Sequence, residues 1–579
     1  MSFDTRLSPA RVSAAAARRL PRPALFALLA AYIVAGLFGR DPWLPEDAAG
    51  FGIAASMAHG TAADWWLPNI AGERLVEEGP LAFWVGAMFI WLFGALLGDA
   101  QAARLSAGLW FALGTASLWY ATYRLARRTE ALPVSFAFGG EATPRDYGRM
   151  LADIAVLLLL GTLGIVLRMH EVTAETAALA LVGATLFGLA LALDAPLRGA
   201  LVAGIAIGAL ALARGPWPAL WLLAAAAATL WLAAGAQRGR AALVLAAAAA
   251  ATAMVWPLGA LLAAPEAMRA EYFAHWRHVA GDSLALARPA DLAWLGRDLP
   301  WYTWPLWPLA AWSAYSWRHA MRLPHVAAPG LALLALLAAM LSQQPVTDSA
   351  LILLVPPLVL LAAFGATSLR RSLDSLIDWF AIATFSLFAI AAWAYFVALM
   401  TGSPPKMAYS VMRLVPGFEP DPHPLALAIA MAATAGWIAL AAWRIGRRPP
   451  MLWRGPVLAA SGLTMLWLLA VTLYLPGVNY NRSYAPIAAV LRAEIDRVAP
   501  GSCLASYRLF ASHKAVLGYH GGLHFARPEA ASECALLLQR DSRRTQLDDA
   551  APAGDWLPVW EGHWIARPDE VFRLYRRGG

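Results

Sequence analysis

The chain has 579 residues, of which 60% are hydrophobic and only 14% charged. Soluble domains carry roughly 25% charged residues, so this composition excludes an ordinary soluble enzyme and defines a polytopic membrane protein. The formal charge of +8 sits in short basic runs between apolar segments, a pattern that encodes topology and argues against a nucleic-acid partner.

In chain order, Arg6, Arg11, Arg18, Arg19 and Arg22 precede the first apolar run and no small-residue cleavage site follows it. An uncleaved first span with a cytoplasmic N-terminus is expected. A span needs about 20 apolar residues. Runs of that kind centre on 23–40, 105–125, 151–168, 176–194, 199–213, 218–235, 241–263, 301–317, 326–342, 350–367, 379–400, 424–443 and 456–474, which makes thirteen. Leu81–Gly98 is also apolar enough to cross. If it did, every later basic group, from Arg124 and Arg127 to Arg444 and Arg454, would flip outward and break the positive-inside rule. It is therefore read as lying in the interface, inside one external loop, 41–104, that carries juxtamembrane helices.

The fold class that follows is mainly α, with residues 1–474 as the transmembrane domain and 475–579 as a small external α/β domain. In the latter, Ala485–Val498 has helical periodicity, while Cys503–Tyr507, Cys534–Leu538, Trp556–Trp560 and Phe572–Tyr575 read as short strands. Cys503 and Cys534 are the only cysteines. An oxidising compartment would allow them to pair, and the sequence leaves that open.

Topology gathers the chemistry on one face. Glu46 and Asp47 follow the first span, and two adjacent carboxylates at a membrane surface are costly to desolvate without a purpose. Arg104, Arg168, Glu171, Glu175, Arg214, His275 and His278 lie on the same side. Carboxylates beside arginines suit a phosphorylated, membrane-borne substrate, since arginine grips phosphate and a carboxylate accepts a proton or binds a metal. The plainer readings are acids that cap a helix, Arg104 as an interfacial anchor, Arg214 as a helix cap and structural histidines. Glu171 is expected to face water.

Several motifs sharpen this. Asp41-Pro-Trp-Leu-Pro-Glu-Asp-Ala-Ala-Gly-Phe resembles the first-loop signature of GT-C glycosyltransferases of the family 39/83 type, in which an Asp-Glu pair follows the first span. The stretch from Asp64-Trp-Trp-Leu-Pro to Gly79-Pro-Leu-Ala-Phe-Trp is similar to that family's continuation. Ala102-Ala-Arg-Leu-Ser-Ala, Arg214-Gly-Pro and Leu299-Pro-Trp-Tyr-Thr-Trp-Pro have counterparts there too. In overall plan the chain looks like the bacterial lipid A aminoarabinose transferases, with thirteen spans and a small periplasmic domain.

The resemblance implies transfer, with inversion, of a monosaccharide from a polyprenyl-phosphate carrier to a periplasmic acceptor (lipid A, another glycan or a protein) at the bacterial inner membrane. It implies Glu46, Asp47 and Glu175 as catalytic carboxylates and Arg104 and Arg214 as carrier-phosphate ligands. It further implies Glu77, with His275 or His278, as ligands of a divalent metal ion. Three departures stand out: the acidic pair runs Glu-Asp, Glu78 replaces a lysine, and Ser349-Ala350 replaces an Arg-Tyr pair. The alternative is a non-catalytic carrier-lipid-binding or transport protein. A transporter would place ionisable groups in mid-span and show repeat symmetry, and neither is evident.

Overall fold

The computed structural model describes residues 8–578 other than 75–78, 234, 267–268, 271–272, 275–276, 278–283, 370, 422, 448–449, 543–553 and 565. The first eight helices are α1 (Arg22–Val34), α2 (Glu46–His59), α3 (Ala62–Trp66), α4 (Leu81–Leu97), α5 (Asp99–Ala126), α6 (Pro144–Leu160), α7 (Ala174–Ala192) and α8 (Pro196–Arg214). After its first turn α7 carries no charge and is buried on almost every side. A helix apolar all round belongs in the interior, and α5 and α8 pack on its flanks.

Among the described residues nine helical runs are long and apolar enough to cross a bilayer, and a tenth is made by α6 with Leu163–His170. These ten fall on ten of the thirteen expected spans. The other three meet α1, of 13 residues, the charged-ended α5, and Leu306–Ser316, of 11 residues. At 1.5 Å per residue α1 reaches only about 20 Å, short of the roughly 30 Å of a hydrocarbon core. In α5 the stretch between Arg104 and Arg124 is uncharged, but Ser106, Trp110, Thr115, Ser117, Trp119, Tyr120 and Thr122 lower its mean hydropathy. An apolar stretch of sequence is not always one uninterrupted helix.

Two local features position the site. The first is the break after α6. Thr143 caps that helix by accepting the Asp146 N–H at 3.1 Å, with Pro144 in its first turn, a favoured N-terminal pattern. The helix stops at Gly161, and the Leu163 N–H bonds to the Trp304 carbonyl at 3.0 Å instead of continuing the helical ladder. The chain turns by 60° there and delivers Arg168, His170 and Glu171 to one end of the bundle. The second feature is the docking of α2 on the following loop. A Cβ at Gly50 would lie 1.6 Å from the Val172 carbonyl oxygen, so only glycine allows this approach.

The C-terminal part contains the expected helix Ala485–Val498 and four strands, β3 (Leu504–Tyr507), β4 (Leu536–Ser542), β5 (Trp556–Trp564) and β6 (Arg567–Arg577). A short hairpin of β1 (Asn69–Ile70) and β2 (Glu73–Arg74) lies earlier, in the 41–104 loop. The larger sheet has the order β3-β4-β6-β5, parallel only between β3 and β4. A parallel pair needs a crossover, and the helix Ala511–Gly521 forms part of it, an element beyond those expected. Cys503 and Cys534 form a disulfide, with Cα atoms 5.2 Å apart, at the approach to β3 and β4.

This domain is seated on α2. Ala515 packs against Gly52, where an added Cβ would meet it at 2.5 Å. The rings of Tyr519 and Phe51 meet edge to face at 4.9 Å, and Lys514 Nζ pairs with Glu73 at 2.8 Å. The boundary expected at 474/475 lies inside a helical run, where a π-helical turn at Ala470–Tyr474 passes into Leu475–Arg482.

Candidate active site

Successive residues of a helix project about 100° apart, so Glu46 and Asp47, both in the first turn of α2, face different surroundings. Asp47 points inward and is 1% exposed. Its Oδ2 accepts hydrogen bonds from Arg104 Nη2 at 2.9 Å, Arg40 Nη2 at 3.2 Å and the Trp43 N–H at 3.3 Å, while Oδ1 accepts the Val172 N–H at 2.8 Å. Burial by itself would raise the Asp47 pKa. Arg104, Arg40 and the Val172 N–H outweigh burial and hold the carboxyl below its ordinary range.

Arg104 is fully buried. Besides Asp47 it donates to the Arg40 carbonyl at 2.7 Å and to the Asp41 carbonyl at 3.4 Å. Arg40 in turn donates to the His170 carbonyl at 2.7 Å. This knot ties the end of the first apolar segment, α2, α5 and the 163–173 segment to one carboxylate.

Glu46 turns the other way, with its side chain 47% exposed and Oε2 at 3.5 Å from Arg168 Nη1. Arg168 is the common partner of four carboxylates. Asp348 lies 2.7 Å from it, Glu171 3.3 Å and Glu175 3.7 Å. Arg214, at the end of α8, donates to Ser349 Oγ at 3.1 Å, which brings it beside Asp348. Glu171, expected to face water, is instead buried, with Arg168 against its carboxylate. Its burial, followed by the nearby charge of Asp47, pushes its pKa up to about 7 against the opposing pull of Arg40 and Arg168.

The structure thus brings Glu46, Glu175 and Arg214 to one end of the bundle and sets Asp47 and Arg104 behind them as a buried pair. Glu77, His275 and His278 lie outside the described residues. Among the described residues no group of three or more His, Cys, Asp or Glu is arranged to hold a metal ion. Arg168 was one of many external charges in the sequence, and Asp348 stood out not at all. Asp348 follows Thr347 at the start of an apolar run, which reads simply as a helix N-terminus. Their meeting spans 180 residues, a contact that no local pattern encodes.

No protein-family model matches the chain. Its fold defines the class: a multi-pass membrane protein with a fold of the GT-C glycosyltransferase type, as the motifs led one to expect. The particular structures it is similar to include ArnT of Cupriavidus metallidurans, solved bound to undecaprenyl phosphate and in the apo state. The TM-scores are 0.63 and 0.62 at 16% and 17% identity, covering 95% of this chain and 97% of that one. A weaker likeness, with a TM-score of 0.41 at 11% identity over 90% of this chain and 70% of the other, links it to the archaeal oligosaccharyltransferase AglB of Archaeoglobus fulgidus. At these identities the likeness is one of fold.

Proposed function

We propose that the protein is an integral membrane glycosyltransferase that moves a monosaccharide from a polyprenyl-phosphate carrier to a periplasmic acceptor, whether lipid A, another glycan or a protein. The observation that carries this reading is the half-exposed Glu46, in the first turn of α2, beside Arg168 in an ArnT-like fold. An acceptor hydroxyl attacks the anomeric carbon from the face opposite the phosphate, with inversion. The bond from that carbon to the phosphate oxygen breaks, the carrier phosphate leaves, and Glu46 takes the hydroxyl proton as general base.

Arg214 and Arg168 meet the charge that grows on the departing phosphate. Glu175 orients Arg168 and is the second catalytic carboxylate. Arg104, also a candidate phosphate ligand from its motif, acts through Asp47, and Asp47 acts by fixing the first turn of α2. A divalent ion held by Glu77 with His275 or His278 belongs to the same reading, and no step above is routed through it. On this reading the membrane is the bacterial inner membrane, crossed thirteen times, with flanking residues supplying the length that α1 and Leu306–Ser316 lack as helices. The Cys503–Cys534 disulfide supports a periplasmic tail, since such bonds persist in oxidising compartments.

The test is transfer by purified full-length protein from polyprenyl-phosphate sugars to a panel of acceptors, with and without EDTA. Wild type is expected to transfer or at least hydrolyse one donor. Glu46→Gln is expected to lose turnover by about 100-fold or more while retaining affinity for undecaprenyl phosphate. Neither transfer nor hydrolysis across a broad donor panel would favour the carrier-binding alternative. Near-normal turnover of Glu46→Gln would remove Glu46 from its role.

A further inference from the structure

We propose that the Tyr302 hydroxyl is a binding group of this site, donating a hydrogen bond to the phosphate of the polyprenyl carrier. The inference rests on the function proposed above and deepens it. Tyr302 closes the helix Pro289–Tyr302. Its hydroxyl oxygen is buried and has no hydrogen-bond partner among the described residues. Buried polar atoms in native proteins are nearly always partnered, so one that is not calls for an explanation, a bound group among them.

The surroundings say what kind of group. Glu175, Arg168, Asp348 and Arg214 all act electrostatically on the Tyr302 hydroxyl, which places it among the charges of the candidate active site. Arg168 is held by the acids around it and Arg214 by Ser349. A phenol adds a neutral donor to this set without adding charge. An anionic oxygen brought between Arg168 and Arg214 would find a third donor in it, and hydrogen bonds to ionised acceptors are the strong ones.

The ring is held where it is by close packing. It lies flat on Gly164, where an added Cβ would come within 2.4 Å of its Cγ. The adjoining Leu163 N–H is bonded to the Trp304 carbonyl at 3.0 Å, which fixes the two segments to each other. Packing on Gly164 needs only the ring, and phenylalanine would supply it. The hydroxyl is the part of this side chain that packing leaves unexplained.

The experiment compares undecaprenyl phosphate with undecaprenol for binding to the full-length protein in nanodiscs. Wild type is expected to prefer the phosphate. In Tyr302→Phe the affinity for undecaprenyl phosphate is expected to fall about tenfold, the scale of a lost hydrogen bond to a charged group. Affinity for undecaprenol and the melting temperature should not change. Gly164→Ala, which keeps the hydroxyl but pushes the ring away, should reduce the same preference and gives a second route if Tyr302→Phe folds poorly. Unchanged affinity for the phosphate in both variants, or equal loss for both lipids, would overturn the assignment of Tyr302. A wild type with no preference for the phosphate would instead overturn the carrier-dependent function.

Discussion

Asp47 is the residue on which this end of the molecule converges. Its carboxylate is bonded by two buried guanidinium groups and two backbone N–H groups, so its removal leaves positive charge buried without its counter-ion. Breaking a buried pair from one side typically costs about 3–5 kcal/mol. Asp47→Asn is expected to destabilise the protein on that scale, read as a lower melting temperature in detergent, whereas Glu46→Gln, half exposed, should melt like wild type. Glu171 gives a pH dependence of known sign. Its folded-state pKa of about 7 lies above the ordinary 4.5, so the folded protein holds a proton that the unfolded chain has released. That stabilisation is complete below the ordinary value and is lost as pH rises through 7. Relative to Glu171→Gln, the melting temperature of wild type should fall between about pH 5 and pH 8. The opposite shift of Asp47 acts only in acid, whereas His513 and His520, whose pKa values burial lowers, add stability as pH rises towards their ordinary value in both proteins alike, so the difference between the two isolates Glu171. A slope identical in both proteins would exclude Glu171 as its source. The acidic pair at 46–47 was visible in the sequence, and so was its place after the first apolar run. Which acid is buried depends on what covers α2.

Among the elements, α2 and the broken helix α6 do most to build the site. The close approach of α2 to the 171–173 loop depends on Gly50, and a Cβ there would overlap the Val172 carbonyl. Gly50→Ala is therefore expected to push the helix off the loop, break the bond from Val172 N–H to Asp47 and abolish transfer. It should also reduce the yield of folded protein in gel filtration. Normal yield and turnover in that variant would mean that α2 can shift without consequence for the site. The strands of the C-terminal domain and its first helix were legible because alternation and helical periodicity are local properties. The bend after α6 was not, because it is made by a hydrogen bond from Leu163 to Trp304, distant in the chain. The helix Ala511–Gly521 escaped notice for a related reason. It is buried by α2 on one side and by Ala485–Val498 on the other, so it lacks the polar face that marks an amphipathic helix.

For the whole molecule, the C-terminal domain is not an appendage. Through Ala515 and Tyr519 it covers the helix that carries Glu46 and Asp47, and through Lys514 it pairs with Glu73 of the β1–β2 hairpin. Its proposed periplasmic side can be tested by mild reduction of intact spheroplasts followed by an impermeant maleimide. Cys503 and Cys534 should be labelled without lysis, and labelling only after lysis would reverse the topology. The sequence by itself determined that this is a helical, many-span membrane protein with a small α/β tail, that its acids and arginines gather in the loops at one end, and that its motifs resemble GT-C glycosyltransferases. Those properties follow from hydropathy, charge and short-range periodicity, all written in contiguous residues. Tertiary structure decided which helices are long enough to cross, that Arg168 collects Glu46, Glu171, Glu175 and Asp348, and that Arg104 is buried with Asp47. Glu171 and Glu175 are near Arg168 in the chain, but the meetings of Arg168 with Glu46 and Asp348 and of Arg104 with Asp47 join residues from 57 to 180 positions apart. They are set by how α2, the turn after α6 and the C-terminal domain pack together, and no single segment holds that information.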